Sequence, residues 1–160
     1  MRKLLLLILM IFVAGVLLAS CSNSKKTDNY VFKYNDVEVI PGEDSASVIA
    51  ALGEAKSYDE EDIGCGNNEM SKVYSYSGFQ IKTYPDGGKD FIDTVIIKND
   101  TVSTPEGITI GSSRDDVIKA YGEDYTERGD GIIYANGKIT LNIVIRDGSV
   151  SSLYYDYDFE

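Results

Sequence analysis

The chain has 160 residues, with 15 basic against 26 acidic side chains and a formal net charge of −11. That balance argues against nucleic acid or an anionic membrane surface as a partner. Histidine is absent, which removes the usual general base, the usual activator of a nucleophile and the commonest zinc ligand together.

In chain order, the first element is Met1-Arg2-Lys3 followed by an uncharged run from Leu4 to Ser20. A basic start, a short apolar segment and small residues before a cleavage point make a secretory signal over 1–20. The run is shorter than the ~20 residues that span a hydrocarbon core. Leu18-Ala19-Ser20-Cys21 resembles a bacterial lipobox. The resemblance implies cutting before Cys21, lipidation of Cys21, and a protein held by its N-terminal lipid on the extracytoplasmic face of the cell membrane. Two or three acyl chains suffice for stable anchoring, at ~0.8 kcal/mol per buried CH₂. Residues 21–29 are polar and lack apolar periodicity, as a flexible spacer does. With Cys21 lipidated, Cys65 is the only thiol left. Its acidic neighbours Asp59, Glu60, Glu61 and Asp62 make it a poor nucleophile, so it is read as free, buried or bonded to a second chain, and not catalytic.

The folded part is expected from Tyr30 to Glu160. It contains a segment that recurs at a shift of 69 residues. Gly42–Glu54 and Gly111–Glu123 share six of thirteen positions: the leading Gly, Val48-Ile49 with Val117-Ile118, Ala51 with Ala120, and Gly53-Glu54 with Gly122-Glu123. Each copy reads as a short helix. Ser113 to Asp116 fits a capping box, and Asp44 or Ser45 caps the first copy. Val48, Ile49 and Leu52 share one side, as do Val117, Ile118 and Tyr121. Gly53 and Gly122 stand where a left-handed C-cap is needed.

Strands flank both helices. Val37–Ile40 and Ile108–Ile110 precede them. Val73–Tyr76, Phe79–Tyr84 and Phe91–Ile97 follow the first, joined at Ser77-Gly78 and Pro85–Gly88. Ile132–Tyr134, Lys138–Ile145 and Val150–Tyr157 follow the second, joined at Asn136-Gly137 and Asp147-Gly148. Asn-Gly and Asp-Gly are strong hairpin signals. The expected fold is therefore α+β: two tandem α/β repeats, 30–100 and 101–160, each a short helix packed on an antiparallel β-sheet whose other face stays open. This layout resembles the β-lactamase-inhibitor-protein-like fold, with its small lipoproteins of the SmpA/OmlA type, over Val37 to Tyr157. In style it is nearest to tandem-repeat lipoproteins of Gram-positive bacteria that have no assigned activity. No functional residue carries over from the inhibitor.

Twelve tyrosines give the second signal, since tyrosine supplies contact area at low entropic cost. Tyr74 and Tyr76 alternate along one strand, and Tyr155 and Tyr157 along another, with Tyr154 pointing the opposite way. These five are the candidate partner-binding residues. The alternative is that they fill the core of a tryptophan-free domain. Asp59–Asp62 reads as a solvated loop. Asp156, Asp158 and Glu160 read as acids that block pairing along an edge or terminal strand. No catalytic motif, cofactor site or metal spacing is present. The functional expectation is a lipid-anchored binding module, not an enzyme, that docks a protein or peptide through an exposed Tyr-rich sheet face. The rival is a structural envelope lipoprotein that scaffolds an assembly. Cys21→Ala is expected to abolish labelling by a palmitate analogue and release the protein from membranes or leave it unprocessed. Equal label on both forms would contradict the lipid assignment.

Overall fold

The computed structural model describes residues 30–62 and 70–160. The signal 1–20, Cys21, the spacer 21–29 and Cys65 lie outside the described residues. Ten strands and two helices follow in order: β1 (Phe32–Tyr34), β2 (Val37–Val39), α1 (Ser45–Leu52), β3 (Ser57–Asp62), β4 (Met70–Ser75), β5 (Phe79–Asp86), β6 (Lys89–Ile97), α2 (Arg114–Tyr121), β7 (Thr126–Arg128), β8 (Gly131–Asn136), β9 (Ile139–Arg146) and β10 (Ser149–Tyr157). Eight strands form a single sheet in the order β3-β4-β5-β6-β10-β9-β8-β7, with every neighbouring pair antiparallel.

This architecture overturns the expected fold class of two tandem α/β repeats. Among the described residues 51% are strand and 13% helix, and the two helices sit on one large antiparallel sheet. Each helix is only eight residues long, about two turns, too short to organise a layer of its own. The last strands of the two halves pair directly, Leu153↔Ile97 through Asp156↔Thr94, so the halves merge.

The local matches between the halves nevertheless hold. Gly42 N–H donates to the Ile92 carbonyl at 2.7 Å and Ile92 N–H to the Glu43 carbonyl at 2.8 Å. Gly111 and Ser112 make the same pair of bonds with Val150, both at 2.8 Å. Asp44 caps α1 by accepting from Ala46 N–H, and Ser113 and Asp116 form the full capping box on α2. Gly53 and Gly122 both have positive φ, 78° and 85°, but with ψ of −158° and −168°. That is the extended mirror region open essentially to glycine alone, not the left-handed helical cap expected.

Other expectations are corrected. Ile108–Ile110 is not a strand: Thr104 N–H donates to the Ile108 carbonyl and Gly107 N–H to that of Thr104, winding the chain into a tight turn. Asp59–Asp62 belongs to β3, an edge strand exposed along its whole length. The strand bearing Asp156 is central, not an edge. Sequence reading also missed β1 and β7. β1 pairs with β2 through Asn35 and Asp36, both at positive φ, a two-residue hairpin turn.

The core lies between one sheet face and a cover made of both helices and the β1–β2 hairpin. Phe32 and Val39 of the hairpin, Val117 of α2, and Phe79, Ile81, Ile92, Val95, Leu141, Ile143 and Leu153 of the sheet are fully buried. Phe79 is an aromatic hub: Phe32, Tyr34 and Tyr76 stand 4.9, 4.8 and 4.9 Å from its ring. Val117→Asp is expected to cost several kcal/mol, about the penalty of an unpaired buried charge. Gly122→Ala is expected to cost about 1–3 kcal/mol through backbone strain. Urea unfolding midpoints check both, and an unchanged midpoint in either variant would contradict this packing.

Candidate functional site

Strand pairing assigns side chains to faces, because directly opposed residues share a face and neighbours alternate. On the face away from the helices, three rows cross the sheet. Arg128, Gly131, Val144 and Ser152 form the first. Ser57, Ser75, Gln80, Ile96, Tyr154, Asn142, Ile133 and Thr126 form the second, one residue from every strand. Asp59, Val73, Lys82, Thr94, Asp156, Thr140 and Ala135 form the third. Gln80 Nε2 donates to Ser75 Oγ, and Asn142 Nδ2 to Thr140 Oγ1, both at 2.8 Å, which fixes their amides.

Ile96, Ile133, Val144 and Tyr154 are half-buried, yet they belong neither to the buried core nor to the side chains packed against it. Ile133, Val144 and Tyr154 help line a depression of about 280 Å³, together with Asn142, Gly131, Arg128 and Arg146.

The five predicted tyrosines do not form one patch. Tyr155 is 1% exposed and part of the core, 6.2 Å from the Phe32 ring. Tyr76 stacks on Phe79 with its hydroxyl buried and without a hydrogen-bond partner among the described residues. Tyr74 pairs with buried Ile81, on the helix side, and contacts Tyr58 at 5.2 Å. Tyr157 packs on Phe159 and under Gly42, where a Cβ would strike its ring. Tyr154 is the one member on the open face. Burial raises the phenol pKa of Tyr155 and Tyr121, and pushes Tyr134 up to about 12. All three stay neutral in the folded state across the physiological range.

A second feature, missed from sequence, lies at the centre of the open face. Register shifts in the β5–β6 ladder between Lys82 and Thr83, where Lys82 faces Thr94 and Thr83 faces Ile92. Asp93 is the extra residue of this bulge, which turns its side chain to the same face as Thr94. Thr94 Oγ1 lies 3.2 Å from Asp93 Oδ2 and 3.1 Å from Asp156 Oδ1. A hydroxyl has one proton to donate, so it satisfies one of the two carboxylates at a time. Burial raises the pKa of Asp93, and the charge of Asp156 raises it further. Burial likewise raises Asp156, helped by Asp158. Lys82 offsets part of this at Asp93, but its own ion pair is with Glu61, at 2.9 Å. No single residue signalled the pair, because a bulge is not written in period-two alternation.

The clefts beside the helices hold side chains bonded to one another. The one flanking α1, about 350 Å³, holds the ion pairs Lys72–Asp90 and Lys89–Asp44. The one flanking α2, about 400 Å³, includes Glu106, which accepts from the Tyr121 hydroxyl at 2.7 Å. Among the described residues no group of three or more acids or cysteines is arranged to hold a metal, and no helix is long and apolar enough to cross a membrane.

No protein-family model matches the chain, and no curated protein matches it either. Among solved structures, a DUF4309 family protein, YjgB of Bacillus subtilis, is similar at 16% identity, over 72% of this chain and 78% of that one, with a TM-score of 0.41. A likeness of that size assigns no residue a role. The resemblance to β-lactamase-inhibitor-protein-like lipoproteins gains no support from these comparisons.

The carboxylate pair makes a stability prediction with a definite sign. Both folded-state pKa values are raised, so their favourable contribution is complete below the unfolded value near 3.8 and is lost as pH rises through the folded values. At pH 7 both carboxylates therefore burden the fold. Asp93→Asn is expected to stabilise by a few tenths to about 1 kcal/mol at pH 7, the scale of a half-exposed charge interaction. The gain should vanish near pH 3.5. Urea midpoints at the two pH values check this, and destabilisation at pH 7 would contradict it.

Proposed function

We propose that this chain is a lipid-anchored module on the extracytoplasmic face of the cell membrane that docks a protein partner on the open face of its sheet. One observation carries the reading: Ile96, Tyr154, Asn142 and Ile133 lie in one row across four strands, and their apolar members are left outside the core. Apolar and aromatic groups framed by amides and hydroxyls are the make-up of a recognition surface. Asp93 and Asp156 add to it, since a pair that burdens the fold on an accessible face marks a surface shaped for something other than stability. The lipobox at Leu18–Cys21 supports the anchoring, and the acidic balance of the chain favours a domain held off the bilayer. A recognition role fits the carboxylate pair better than catalysis, because the chain has no histidine to share the proton work.

In the host cell, a photo-crosslinking benzoylphenylalanine at position 154 of the full-length chain is expected to give a discrete adduct. The same group at exposed Ala50 on α1 is expected to give none. Ile133→Glu should remove the adduct from position 154. The same adducts from both positions, or none from 154, would overturn the open-face reading.

A further inference from the structure

The depression on the open face has a charge character opposite to the rest of the molecule. Arg128 and Arg146 border it against a single acid, Asp130, in a chain of net charge −11. Arg128 stands opposite Gly131, which has no side chain to fill the space. Its guanidinium makes no hydrogen bond or ion pair with any described residue. Arg146 follows Val144 by two positions on β9, so it projects to the same face. Its Nε lies 3.7 Å from Asp130 Oδ2, and both side chains are about two-thirds exposed. That separation is well beyond the ~2.7–2.9 Å of a charge-assisted hydrogen bond. Two guanidiniums, one unengaged and one loosely held, thus flank an apolar floor of Ile133, Val144 and Tyr154.

Elsewhere the face is acidic. Asp59, Glu61, Asp93 and Asp156 lie toward its other side, with Lys82 committed to Glu61. A negatively charged segment is attracted at the arginine end and repelled across the rest, which fixes where it sits.

The geometry points to this depression as the seat of an acidic segment of the partner: an apolar side chain enters over Tyr154, Ile133 and Val144, and an Asp or Glu two positions along the extended partner chain lies against Arg128 and Arg146. The spacing follows from the sheet. Alternate residues of an extended chain share a face, about 6.6–6.8 Å apart, the same step that separates Asn142 from Val144 and Val144 from Arg146 along β9. The guanidinium fork suits a carboxylate in a way an ammonium would not. This assignment rests on the open-face docking reading above and specifies the partner's chemistry.

The test presents an array of short random peptides to the full-length chain purified in detergent. Peptides with a Leu, Ile or Phe two positions from an Asp or Glu are expected to be enriched. The double variant Arg128→Gln/Arg146→Gln is expected to lose that enrichment by about tenfold or more, the effect of removing a charge-assisted hydrogen bond. Both arginines are exposed, so the variant's thermal midpoint should match the wild type. Arg128→Lys/Arg146→Lys should retain part of the enrichment. Enrichment of basic or uncharged peptides, no enrichment, or insensitivity to the glutamine variant would each overturn the proposal. The adduct from position 154 reports separately on the docking face, so the partner's charge can prove wrong while that reading stands.

Discussion

Four residue pairs between β6 and β10, Ile97 with Leu153 through Thr94 with Asp156, hold the two halves of the sheet together. Everything else depends on that seam. Its core side carries Val95, Ile97, Leu153 and Tyr155, all buried, and the β1–β2 hairpin lies across it. Phe32 of the hairpin reaches Phe79 on one half and Tyr155 on the other. Burying an aromatic side chain contributes roughly 1.5–3 kcal/mol, so this ring acts as a bolt between halves that share few backbone bonds.

The same seam creates the candidate site. Joining β6 to β10 sets Ile96 beside Tyr154 and Thr94 beside Asp156, placing the apolar row and the carboxylate pair at the middle of an eight-stranded face. The bulge at Asp93 delivers a second acid there. The carboxylate pair exists in neither half alone, whereas Tyr154, Asn142 and Ile133 all belong to the second. The helices, the hairpin and the aromatic hub occupy the opposite face, so the core is complete without the open one. That separation leaves the open face free to carry groups that add nothing to the packing of the core.

Much of the local structure was legible along the chain. Cap residues at Asp44, Ser113 and Asp116 marked the helices, because Ser and Asp side chains satisfy N–H groups that a helix start leaves unpaired. Gly78, Asn136-Gly137 and Asp147-Gly148 marked the hairpins, because the backbone there needs positive φ. Alternation marked the strands between them. Ile108–Ile110 misled for the converse reason: an alternating triplet looks the same in a strand and in a buried loop held by Thr104. β1 and β7, three residues each, are too short for a periodic signal.

Sequence by itself determined the acidic balance, the helix caps, the turns and the alternating strands, since each follows from groups within a few residues of one another. It also fixed that Tyr154 and Tyr155 point opposite ways, because a strand's period is two. Which of the two points into the core was decided by tertiary structure, through the pairing of β10 with both β6 and β9. The same pairing moved Asp156 from an expected edge to the centre, brought it to Asp93, and turned two expected units into one sheet. Those outcomes depend on contacts between residues some sixty positions apart, such as Thr94 and Asp156, and no local pattern encodes which distant strand completes the ladder.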